Sequence, residues 1–103
     1  MGIRTDTLEK LDEGGFWSPY EKHILDLPRN HQNGIDKYVR LGLRPGSFTE
    51  GVLTNDLCKA VFNGDYNAQT QLLIIVKFVF NFCPSTCWGS RKAYDRWLAD
   101  EDI

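Results

Sequence analysis

Residues that do chemistry are scarce in this chain: three cysteines, two histidines and one methionine among 103 residues. It contains no Gly-x-Ser-x-Gly elbow, phosphate-cradling loop, His-Glu-x-x-His pair or dinucleotide fingerprint, the short patterns that most often betray an active site. A non-enzymatic protein without a cofactor is therefore expected. An odd number of cysteines gives no disulfide framework. Cys83 and Cys87 have three residues between them but straddle Pro84, and His23 and His31 lie far off in sequence. A zinc site wants four converging ligands, so no metal is expected and the thiols read as buried and free. Cys87, beside Trp88 and near a helix start, is the one conceivable nucleophile. It lacks an identifiable base among His23 and His31.

Positive charge is not in excess either. The net charge is −2, whereas nucleic-acid binders carry a clear basic surplus to neutralise phosphates. Direct nucleic-acid binding is not expected, although Arg40, Arg44, Arg91, Lys92 and Arg96 leave room for local basic patches. Long hydrophobic runs are missing: the longest, Leu72–Phe82, is interrupted by Lys77 and Asn81 and is too short to span a bilayer. The first residues have no apolar leader region, and Asp6 stands where a myristoylation site wants Ser or Thr. A soluble, intracellular protein with no membrane partner is expected.

With 42% hydrophobic and 25% charged residues, the chain has the composition of one folded domain with a single core. Residues 1–15 are polar, end in Gly14-Gly15 and read as a flexible or loosely docked arm. The domain proper is expected over residues 16–99, with a frayed acidic tail over 100–103. Ser18-Pro19-Tyr20-Glu21 has the form of a helix start with a capping box, and Pro28 closes that helix. Phe16 or Trp17 is expected to fold back on Ile24 or Leu25. A second helix is expected from about His31 to Leu41, with Ile35, Tyr38, Val39 and Leu41 inward. Ser47-Phe48-Thr49-Glu50 is a second capping box, opening a helix to about Phe62 that Asn63-Gly64 stops with a left-handed glycine. Asp65 can cap the next helix, over about Tyr66–Phe82. Its Leu72–Val76 segment has strand propensity, but Asn67, Thr70, Lys77 and Asn81 fall in one stripe at helical spacing, which favours a nearly buried central helix. Ser90 caps a last helix, Arg91–Ala99, with Tyr94, Trp97 and Leu98 inward. The fold class is all-α, a small compact bundle of four to five helices.

Three groups of residues stand out as candidate binding positions. Asn55 and Asp56 interrupt a well-formed helical pattern and are mediocre helix formers. They serve either a binding site or the backbone of the neighbouring Cys87-Trp88-Gly89-Ser90 turn, whose N–H groups need acceptors. The helix starts at Ser47 and Ser90 place free N–H groups near Arg44 and Arg91, an arrangement suited to phosphate or carboxylate as well as to plain capping. Trp88, in a turn, is either a loop latch or an interface residue.

The residues Tyr38-x-Arg40-x-Gly42-x-x-Pro45-Gly46-Ser47-Phe48, Val52-Leu53-x-Asn55-Asp56-Leu57, Asn81-x-x-Pro84 and Cys87-Trp88-Gly89-Ser90 resemble a family of small phage and prophage proteins. The resemblance spans roughly residues 38–98. That family has no assigned biochemical role, so the resemblance implies a viral origin and a helical domain and supplies no catalytic residues. Its recurring polar positions correspond to Arg40, Ser47, Asn55, Asp56, Asn81 and Ser90. The expected function is that of a phage accessory protein in the host cytoplasm, binding a host protein complex, with a counter-defence inhibitor of the anti-CRISPR kind as one form. The alternative is a small-ligand binder that sequesters a nucleotide signal between the basic helix starts, with Trp88 as a stacking surface.

Overall fold

A computed structural model describes residues 2–15 and 17–102; Phe16, for which an inward contact was expected, lies outside them. Among the described residues the chain is all-α, with eight α-helices and one short 3-10 turn. That exceeds the four to five helices expected, because two long helices are each broken in two and an additional one forms at the start.

The additional helix is α1, Ile3–Gly14, in the segment expected to be an arm. Its apolar content is small, and only Leu8 packs against the core. Polar bonds to the far end of the chain hold it instead. The Arg4 guanidinium donates to the main-chain carbonyls of Trp97 at 2.6 Å and Leu98 at 3.3 Å. Asp100 accepts from the Thr5 N–H at 3.0 Å and the Thr5 hydroxyl at 2.5 Å. The Ile3 N–H reaches the Glu101 carbonyl at 2.6 Å, and Gly2 bridges Asp102. The acidic tail, expected to fray, is thus paired through residue 102. Hydrophobic periodicity carries no trace of such an anchorage.

Helix α2 runs Trp17–Ile24, so Ser18 sits inside its first turn and the helix stops short of Pro28. Leu25 is exposed and Leu27 is buried. Helix α3, Arg29–Leu41, begins directly after Pro28 and ends on Gly42, whose φ of 66° suits glycine. It buries His31, Ile35, Tyr38 and Val39, while Leu41 faces outward.

The helix expected over 47–62 is two helices, α4 Ser47–Leu53 and α5 Leu57–Asn63. Asn55 adopts φ 58°, the left-handed position that ends a helix and that asparagine tolerates better than most residues. Asp56 then caps α5, its carboxylate accepting from the Lys59 N–H at 3.0 Å. The two helices touch closely at Gly51, where a Cβ would lie 2.5 Å from the Ala60 nitrogen. Gly46, not Ser47, holds the capping position of α4, and its expected capping box does not form. Gly64 ends α5 in an extended conformation, not a left-handed one.

Asp65 caps α6, Tyr66–Thr70, by accepting from the Ala68 N–H at 2.8 Å. Gln71, with φ −100° and ψ 2°, separates it from α7, Leu72–Phe82. The expected central helix is buried on one face only, through Ile75, Phe78 and Val79. The chain then makes a 3-10 turn, Ser85–Cys87, and enters α8, Arg91–Ala99, which Ser90 caps by accepting from the Ala93 N–H at 3.1 Å. Tyr94 and Trp97 of α8 are fully buried.

Two polar groups inside the core are paired across distant elements, whereas the Tyr94 hydroxyl and the Trp88 indole N–H are buried without a hydrogen-bond partner among the described residues. The Trp97 indole donates to the Tyr38 carbonyl at 3.0 Å, and the Tyr38 hydroxyl donates to the Cys87 carbonyl at 2.6 Å. The Tyr38 and Tyr94 rings stack at 5.3 Å. Of the three thiols, Cys83 and Cys87 are buried but Cys58 is exposed, contrary to the expectation for all three. Cys58 lies on the outward side of a helix that presents only Ala60 as a buried residue.

Candidate functional site

The structure distributes the eight candidate residues over three places. Arg40 stands apart from the others, on α3 and facing α2. Its guanidinium lies 4.3 Å from the centroid of the Trp17 ring and bonds Asp36 at 2.8 Å. Because Asp36 also accepts from the Tyr20 hydroxyl at 2.9 Å, Arg40 fastens two helices together.

Arg44 and Arg91 converge on Glu50, a residue whose spacing from Ser47 predicts a capping box. The Glu50 side chain is only 14% exposed. It pairs with the Lys59 ammonium, with Arg91 at 3.4 Å and with Arg44 at 4.0 Å, and the Tyr94 hydroxyl faces it. The Lys59 ammonium above all, helped by Tyr94 and Arg91, holds the Glu50 carboxyl down at about 2. Burial and the Glu50 charge push Tyr94 up to about 12. The two helix starts at Ser47 and Ser90 are therefore neighbours of a cationic cluster, as the sequence suggested. Between the cations, however, stands a protein carboxylate, in the place an anionic ligand would take. Ser47 is exposed at the first position of α4, and the hydroxyl of Ser90 is engaged in its cap.

Asn55, Asp56 and Trp88 come together on a groove of about 220 Å³ between α4, α5 and α7. Its apolar walls are Val52, Leu57, Leu72, Val76 and Val79, closed at one end by Trp88. Trp88 meets the ring of Phe80 edge-on, 5.8 Å between centroids. Asn55 and Asp56 are exposed along the groove, close to the Cys87–Ser90 turn as expected. They are not the acceptors for its backbone, because Asp56 caps α5. The acceptor is a main-chain atom: the Leu53 carbonyl, released where Asn55 breaks the helix, takes the Gly89 N–H at 2.8 Å.

The groove runs beside a ridge of uncovered apolar side chains. Leu57, Leu73, Ile74, Val76 and Phe80 are 67%, 73%, 51%, 42% and 69% exposed. Around α7 the sequence Val76, Phe80, Leu73, Lys77, Asn81, Ile74 sweeps continuously across the outward side at 100° per residue. The expected polar stripe of Lys77 and Asn81 is present, but apolar residues flank it. Leu57, Leu73, Val76 and Phe80 form one patch on the order of 400 Å², within the range of the largest patch a typical monomer leaves uncovered, and Ile74 stands apart from them beyond Lys77 and Asn81. A groove this small takes a few side chains; sites for drug-sized ligands and cofactors enclose ~300–1,000 Å³. A signal for this face was present in the sequence: Leu72–Phe82 is apolar nearly all round, more than a helix with one buried face requires.

Cys87 sits against Cys83, and burial pushes its thiol well above the ordinary value, the reverse of what a nucleophile requires. His23 stacks on Phe82 at 4.2 Å and pairs with Asp26, and His31 packs against Phe48. Among the described residues no three His, Cys, Asp or Glu side chains are grouped to hold a metal ion, and no helix is long and apolar enough to cross a membrane. Comparison with known proteins finds no family model, no curated protein and no solved structure that matches this chain.

Proposed function

We propose that this protein is a non-enzymatic binding module that docks on a macromolecular partner through the face formed by α7, the start of α5 and Trp88. One observation carries the reading: four large apolar side chains, Leu57, Leu73, Val76 and Phe80, contiguous with an apolar groove, stand in water on a domain that already has a complete core. Keeping such a patch exposed costs solubility and adds nothing to the fold, so its value lies in what covers it. Its shape, a three-turn ridge beside a narrow furrow, suits the side chains of a helical or extended segment rather than a nucleotide. The viral origin expected from the resemblance to small phage and prophage proteins makes a host protein complex the partner class we propose, with a counter-defence inhibitor as one form of activity.

Affinity capture from extract of a bacterial host tests this. The wild-type chain should retain a partner in near-stoichiometric amount, and Phe80→Glu should lose it while keeping the wild-type circular dichroism spectrum and a melting temperature within a few degrees of wild type. Retention of the same partner by a folded Phe80→Glu variant would move the binding site elsewhere.

A further inference from the structure

The exposed face is also complementary to itself, and we infer that in the absence of another partner it is covered by a second copy of this chain. This rests on the same face as the docking reading but does not depend on that reading being right. The ridge of α7 and the groove between α7 and α5 lie side by side and share Val76. A two-fold axis running along α7 seats the ridge of each copy in the groove of the other, the isologous arrangement in which one patch serves both partners. Ridge-in-groove seating of this kind is how helices pack in bundles, and the 11 residues of α7 give about 16 Å of length to pack.

The charges fit the same arrangement. Lys77 projects from the outward arc of α7 on the side away from the groove. Asp56 lines the groove and is exposed, with Oδ1 taken by the Lys59 N–H. Seating one ridge in the other groove brings Lys77 beside Asp56 of the second copy, and symmetry makes the contact twice. With Trp88, Asn55, Asp56 and Lys77 around its edge, and Ile74 outside it, the patch falls short of the ~800 Å² per partner that a standard specific interface buries. The modest area and mixed edge predict a reversible dimer rather than an obligate one.

Sedimentation velocity over a concentration series from the low micromolar to the millimolar range decides the matter. The wild type should shift from monomer to dimer within it. Phe80→Glu should weaken the dimer about thirtyfold or more, and Lys77→Glu about tenfold; Lys77→Glu should keep the wild-type melting temperature, and Phe80→Glu, which loses its edge contact with Trp88, should melt only a few degrees lower. In an Asp56→Asn background, where asparagine keeps the cap of α5, Lys77→Glu should have little further effect, because the charge it would repel is gone. A wild type that stays monomeric throughout overturns the second copy and leaves docking on another protein standing. A dimer indifferent to Phe80→Glu is formed by a different face. A dimer sensitive to Phe80→Glu but not to Lys77→Glu overturns the seating described.

Discussion

The main-chain carbonyl of Leu53 accepts the N–H of Gly89 across 2.8 Å, joining the end of α4 to the turn that carries Trp88. In an uninterrupted helix that carbonyl would belong to residue 57. The break at Asn55 frees it, so a local backbone choice in one element fixes the wall of a groove built by another. Asn55→Val forces a β-branched residue into the left-handed region and should cost about 1–3 kcal/mol. Urea unfolding checks the loss, and the near-ultraviolet signal of the tryptophans should change with it. Asn55→Gly, which relieves the conformation, should retain wild-type stability within about 1 kcal/mol.

Asp56→Ala removes the cap of α5 and should lower stability by ~1 kcal/mol, whereas Asp56→Ser should recover most of it. Thermal melts of the three proteins separate this capping role from a purely binding one, which would leave all three melts alike.

Gly51→Ala tests how closely α4 and α5 approach. The added Cβ would meet the Ala60 nitrogen at 2.5 Å and Cα at 2.8 Å, both backbone atoms that cannot swing aside. The helices must part, at a cost of about 1–3 kcal/mol by the measure of overpacked cores. Denaturant titration should show a lower midpoint, in spite of alanine's better helix propensity.

Glu50 should give the fold an acid limit. Its carboxyl titrates at about 2 in the folded protein against an ordinary 4.5. The unfolded state therefore binds the proton first, and the stabilisation is complete above about 4.5 and lost as pH falls from there towards 2. The urea midpoint of the wild type should drop between pH 6 and pH 3 by more than that of Glu50→Gln. Equal drops would place the acid sensitivity in other carboxylates.

Arg4→Ala leaves the Trp97 and Leu98 carbonyls without their charged donor and should cost on the order of 1.5–3 kcal/mol. Amide exchange resolves where the loss falls: α1 should lose protection, while the indole of Trp97, bonded to Tyr38 inside the core, should keep its own.

Several elements could be read from the sequence because their signals are local. Ser90 and Asp65 cap the helices that follow them, Tyr94 and Trp97 face inward, and Asn55 with Asp56 disturbs a helical pattern at the point where the helix breaks. Other features depend on partners far along the chain, and those were not legible. Glu50 has the spacing of a capping box but turns to Lys59 and Arg91, because a carboxylate among cations at the surface of the core gains more there than at its own helix start. Ile3–Gly14 has too few apolar residues to announce a docked helix, and what docks it is the polar chemistry of residues 97–102. In α7 the apolar excess was visible, but periodicity cannot distinguish a side chain that meets the core from one that faces solvent.

The bonds of Arg4 and Thr5 to residues 97–100 span more than ninety positions, so α1 has nothing to hold it until that distant segment is itself in place. Its sparing use of apolar residues then acquires a second meaning: a segment that must wait for a remote partner is safest when it has little to stick with.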